Sequence, residues 1–135
     1  VFHIKGSEFE SPGLFLFVKL FAYLELTKVS FRFIFRHIDK HLNNKEAKVM
    51  NKTFKALSDP TRRRILELLD ERDMTAGQIA DQFDISQPSV SHHLNVLKNA
   101  NLILWIKDGQ SIIYSLNTTV FQEMTKWFYN FRERS

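Results

Sequence analysis

The chain has no cysteine among its 135 residues, so disulfides, thiolate metal sites and a cysteine nucleophile are all excluded. Glycine and proline are also scarce, at four and three. Four glycines cannot build a glycine-rich phosphate loop, and no Ser-x-x-Lys or His-Glu-x-x-His pattern occurs. No titratable groups converge at a catalytic spacing, and the expectation is that the protein is not an enzyme. Long apolar runs are missing too. The stretch GLFLFVKLFAYLELTKVSFRFIFRHI (13–38) is broken by Lys19, Glu25, Lys28, Arg32 and Arg36. Its uninterrupted segments fall far short of the roughly 20 residues that a membrane-spanning helix needs. An amphipathic helix on a membrane surface stays open for it, and no signal-peptide cleavage pattern stands out.

What is present divides the chain in two. Eight of the thirteen phenylalanines lie before residue 50. Residues 1–49 carry eight Lys/Arg against five Asp/Glu, and residues 50–135 carry eleven against ten. The second part is thus nearly neutral, and any case for nucleic-acid binding there must rest on local charge placement. Residues 1–49 are expected to be an N-terminal extension that is vector-encoded or translated from DNA upstream of the true start. GSEF (Gly6 to Phe9) reads as two adjoining cloning sites, and KEA (Lys45 to Ala47) as a ribosome-binding sequence just before Met50. The alternative is a genuine N-terminal helix packed on the domain or on a partner.

From Met50 the signals are regular. Met50, Phe54 and Leu57 recur at helical spacing. Ser58 or Asp59 can cap the next helix, with Pro60 at its first position and Ile65, Leu66, Leu68 and Leu69 as its buried stripe. MTAGQIADQF predicts a third helix capped by Thr75, with Ile79, Ala80 and Phe83 facing inward. After a short turn at Asp-Ile-Ser, QPSVSHHLNVLKNA predicts a fourth, with Val90, Leu94 and Leu97 inward and Asn99 or Asn101 ending it in a left-handed conformation. The period then changes. Two β-branched and aromatic runs joined at Asp108-Gly109 predict a hairpin. A last helix presents Val120, Met124, Trp127, Phe128 and Phe131 on one broad face, which suggests burial against a second copy. The expected fold is mainly α with a small β-hairpin wing (α+β), a dimeric winged helix-turn-helix over residues 50–135.

In a helix-turn-helix the second helix enters the major groove. Its outer face here holds Gln87, Ser89, Ser91, His92 and His93, then Asn95, with Lys98 at the far end where it also suits the helix dipole. Residues 85–100 contain no Asp or Glu, which phosphate would repel. A plainly solvated helix would favour Glu, Lys and Arg, so the use of poorer helix formers needs a reason. His93 divides evenly between this face and packing, since helical neighbours point about 100° apart. Arg62, Arg63 and Arg64 are open between DNA backbone, a nearby carboxylate and plain solvation.

The segments ALSDPTRRRILELL, MTAGQIADQF, ISQPSVSHHLNVLKNANLI and DGQSIIYSLN, in that order, resemble the ArsR/SmtB family of small bacterial repressors. Through SHHLN, YSLNTTV and the tryptophan of the last helix, the resemblance is strongest to SdpR-type autorepressors. It implies a cytoplasmic winged-helix homodimer that represses transcription from a near-palindromic DNA operator. The recognition helix would be Gln87 to Asn99, with Ser89, Ser91 and His92 foremost at the DNA and Arg62 a backbone candidate. The wing would be Lys107 to Gln110, and the first and last helices, with Phe54 on the first, would pair the subunits. It also suggests a membrane-protein antirepressor that sequesters the protein. Many relatives sense metals, but here one familiar site lacks its thiols in MTAGQIAD and another lacks His and Asp in the last helix. His37 and His41, with Asp39 near, could share a helix face but have no clear third ligand. No metal and no cofactor are expected. Alternatives are a winged helix used only for protein binding, or a metal-responsive repressor with a non-standard site.

Overall fold

The computed structural model describes residues 44–133, with side chains described to residue 126. Helix α1 (Asn44–Leu57) begins before Met50, so the boundary expected at residues 49 and 50 falls inside a continuous helix. Glu46 sits favourably in its first turn and Lys55 in its last. Met50, Phe54 and Leu57 turn one face toward the core.

Helix α2 (Pro60–Glu71) starts where Asp59 accepts the Arg62 backbone N–H at 2.9 Å, with Pro60 in its first turn. Ile65, Leu66, Leu68 and Leu69 form its buried stripe, as their spacing requires. Strand β1 (Met74–Thr75) was not expected; its brevity leaves no alternation to read. Thr75 doubles as the cap of α3 (Ala76–Ala80). It forms a capping box in which the Gln78 N–H donates to the threonine hydroxyl and the Thr75 N–H donates to the Gln78 side chain. The expected helix through Phe83 is only this short one. Beyond it the chain tightens into turns, with Gln82 N–H on Ile79 O and Phe83 N–H on Ala80 O, both at 3.0 Å. The connection to the next helix is longer than the three residues anticipated.

Helix α4 (Gln87–Asn99) is capped by Ser86, with Pro88 in its first turn. Val90, Leu94 and Leu97 are buried and seat it against α1, α2 and α3. Its end is a Schellman turn. Asn101 has φ 57°, its N–H donates to Lys98 O, and Leu102 N–H donates to Leu97 O, both at 3.0 Å. Leu97 and Leu102, which flank the turn, are fully buried.

The wing is β2 (Ile103–Asp108) and β3 (Ser111–Leu116), antiparallel from Ile103↔Leu116 to Asp108↔Ser111. Its two-residue loop is Gly109-Gln110, one position later than expected. Gly109, at φ 59°, takes the first loop position, where a type II′ turn needs positive φ. β1 adds to the other side of β3, giving the order β1-β3-β2. Asn117 fastens the wing's base to the end of α4: its backbone N–H donates to Leu102 O at 3.0 Å and its side-chain amide to Asn101 O at 2.8 Å. Helix α5 (Thr118–Glu133) returns Phe121 and Met124 to the same core. Among the described residues no helix is long and apolar enough to cross a membrane.

Candidate nucleic-acid interface

The buried stripe of α4 dictates what its other sides can do. At about 100° per residue, His92, Asn95 and Asn99 point directly away from Val90, Leu94 and Leu97. All three are exposed, as are Gln87 and Ser91. His93 and Lys98 fall on the two flanks of the buried stripe, and each is drawn sideways onto a different neighbour.

On one flank His93 leans on the corner between α1 and α2. Its side chain is 17% exposed, and Nδ1 lies 3.8 Å from Asp59 Oδ1, buried and without a hydrogen bond. The packing alternative for His93 is the one realised, which removes it from the outer face. On the other flank the Lys98 ammonium sits over the Trp105 ring of β2, 5.1 Å from its centroid. Neither partner was anticipated, because each contact joins segments whose meeting depends on the fold.

Ser89 is exposed, but its hydroxyl is 2.9 Å from that of Ser86, and its N–H donates to Ser86 Oγ at 3.3 Å. It is therefore part of the cap that starts the helix as well as of its outer surface. At the wing, Lys107 and Gln110 are exposed near the tip, beside Asp108.

Arg62 departs from its expected place. Its guanidinium donates to the carbonyls of Lys55 (3.1 Å) and Ala56, lies 3.9 Å from Asp59, and leaves the side chain 13% exposed. Arg63 donates to Leu57 O at 2.9 Å. The last carbonyls of a helix lack intrahelical donors, and two arginines supply them here. Arg64 alone is exposed, and it pairs with Glu67 at 2.9 Å. Arg62 and Arg63 thus tie α1 to α2, and Arg62 keeps little exposed surface to turn toward a phosphate. A run of arginines after a Ser-Asp-Pro corner carries the signal of this role, since the preceding helix must end just before it.

The expected pairing residues also need correction. Phe54 and Met124 are 3% and 2% exposed within one chain and build its own core, so they have almost no area to offer a partner. Val120 is half-buried against that core. The side chains of Trp127, Phe128 and Phe131 lie outside those described, as do His37, Asp39 and His41 in full.

Two packed helices, the second with an open polar face, and a hairpin fastened to that helix's end define a winged helix-turn-helix protein. Residues 59–103 match the family described as bacterial regulatory protein, arsR family. The transcriptional repressor SdpR of Bacillus subtilis (strain 168) is 61% identical over 82 residues, spanning 61% of this chain and 91% of that protein. An arsenical resistance operon repressor of Staphylococcus xylosus is 37% identical over 70 residues, 52% of this chain and 67% of that one. An ArsR-like transcriptional regulator from Rhodococcus sp. RHA1 superposes with a TM-score of 0.64 at 25% identity, covering 69% of this chain and 85% of that chain. The chain belongs to the arsR family of bacterial regulatory proteins. The metal sites that the resemblance implied do not fit its residues. The helix before the turn offers no thiol, α5 offers no His or Asp, and no metal-holding cluster occurs among the described residues.

Proposed function

We propose that the protein is a sequence-specific, DNA-binding transcriptional repressor in the cytoplasm. In this reading it acts as a homodimer on a near-palindromic operator, and its own promoter is among its targets. The observation that carries the reading is the outer face of α4. It is polar, free of carboxylates from residue 85 to 100, and turned to solvent by the burial of Val90, Leu94 and Leu97. Gln87, Ser89, Ser91, His92 and Asn95 are assigned to base and phosphate edges, Lys98 to a phosphate, and Lys107 and Gln110 to the flanking backbone or minor groove. Phosphate contacts set register, and base-edge contacts set sequence.

Two such helices must lie about 34–36 Å apart to read successive major grooves. Val120, Trp127, Phe128 and Phe131 are the residues assigned to hold that spacing. Control by a membrane-protein antirepressor, rather than by a metal, completes the proposal; it is supported by the resemblance to SdpR-type autorepressors and by a donor set unsuited to metal.

A winged helix that binds only protein is the second reading, favoured by the near-neutral charge of residues 50–135. Binding to a duplex that carries the protein's own promoter, titrated across salt concentrations, separates the two. A repressor that contacts phosphates loses affinity steeply as salt rises. Absent or salt-independent binding would support the protein-binding reading.

A further inference from the structure

Lys98 is the only lysine or arginine on the recognition helix, and it does not hang free. It leaves the last turn of α4 on the flank facing the wing. Its ammonium lies 5.1 Å from the centroid of the Trp105 ring. Trp105 stands on the outer strand of the sheet, paired across to Tyr114, and is 51% exposed. A large aromatic ring left half in solvent on an edge strand adds little to the core, yet it presents a face to a cation. No carboxylate pairs with Lys98 among the described residues.

We infer that Trp105 is a positioning residue for DNA binding: its ring holds the Lys98 ammonium ready for a backbone phosphate beside the major groove. The inference rests on the DNA-binding reading above. An ammonium on a ring face meets the π system with one side and keeps N–H donors on the other. The ring therefore does not neutralise the charge, as a carboxylate would, and the attraction to phosphate survives. A lysine otherwise loses considerable rotamer freedom when it is fixed at a phosphate. The ring removes part of that freedom before DNA arrives. The same contact ties the wing to the recognition helix, so the two DNA-facing elements keep their relative position.

The test compares the wild-type chain with Lys98→Gln, Trp105→Leu, Trp105→Phe and the double variant Lys98→Gln/Trp105→Leu. Affinity for the promoter duplex is measured across salt concentrations, with circular dichroism as the control for folding. Lys98→Gln should reduce the steepness of the salt dependence by about one. Trp105→Leu should weaken binding about two- to fivefold, the range of a partly exposed cation–π contact, and Trp105→Phe should recover most of that loss. In the Lys98→Gln background, Trp105→Leu should cost nothing further. A Trp105→Leu loss that persists undiminished without Lys98, or no loss in a wild-type background that binds steeply, would overturn this inference alone. A wild-type chain that fails to bind DNA, or binds it without salt dependence, would overturn the DNA-binding reading and this inference with it.

Discussion

Two polar regions of this small domain are used in opposite ways. The corner between α1 and α2 holds three consecutive arginines, and the outer face of α4 holds serines, histidines and asparagine with a single lysine. Charge alone would assign the nucleic acid to the arginines. Yet Arg62 and Arg63 turn back onto the carbonyls of Lys55, Ala56 and Leu57, and Arg64 onto Glu67. The weakly charged face is the one left open. A cation's value to a partner depends on whether the fold has already used its donors, and here the end of α1 has used them.

The strongest way to break this comparison is Arg62→Ala. Removing the guanidinium strands the carbonyl of Ala56 and leaves that of Lys55 with the Ser58 hydroxyl alone, so stability should fall by about 2 kcal/mol, as for charge-assisted hydrogen bonds. Urea unfolding followed by circular dichroism reads the loss. Arg62→Lys should recover little of it, since a point ammonium cannot replace the fork. A variant with unchanged stability would return Arg62 to the pool of free cations.

Next in size is the turn that ends α4. Asn101→Ala places a Cβ-bearing residue without a local hydrogen-bonding side chain at φ 57°, and should cost about 1 kcal/mol. Asn101→Gly should be tolerated to within about 0.5 kcal/mol, because glycine adopts that conformation freely. Thermal unfolding of the pair distinguishes backbone strain from a lost side-chain contact; equal behaviour would argue against the strain.

Smaller still is Arg64→Ala. The exposed Arg64–Glu67 pair should contribute less than about 0.5 kcal/mol, and a loss as large as that of Arg62→Ala would erase the distinction between spent and exposed arginines.

The least effect is expected at Asp70. Partial burial, and then the neighbouring Glu71, hold its carboxyl above its ordinary pKa of 3.8. Its ionised form is therefore slightly penalised in the fold. Asp70→Asn should leave stability unchanged at low pH, where the aspartate is protonated in both states. It should raise stability slightly once pH exceeds the folded-state value. Midpoints compared at acid and neutral pH check the sign, and an advantage confined to acid pH would refute it.

Much of this was legible in the residues. The caps at Ser58 or Asp59 and at Thr75, the stripes of α2 and α4, and a left-handed residue at Asn99 or Asn101 are local features; the cap at Ser86 was read only as part of a turn. Each of these local features needs only its own few residues to declare itself. The hairpin was legible too, although its loop sits one residue later than Asp-Gly suggests, since Gly109 rather than Asp108 meets the positive-φ requirement. What escaped was non-local. β1 is two residues long and exists only because β3 offers it an edge. The inward use of Arg62 depends on how α1 ends against α2. The burial of Phe54 and Met124 within their own chain depends on α1 and α5 closing over one core, which a face of aromatic residues does not reveal. His93 and Lys98 look alike on a helical projection, and only their neighbours Asp59 and Trp105 separate their roles.

The most direct test of the central claim measures His92→Ala for two quantities together: affinity for the promoter duplex and the urea midpoint of unfolding. His92 stands at the middle of the open face and is exposed. If that face reads DNA, affinity should weaken by about 1–3 kcal/mol, as for a lost base contact, while the midpoint stays where it is. Unchanged affinity in a duplex that the wild type binds steeply would contradict the account.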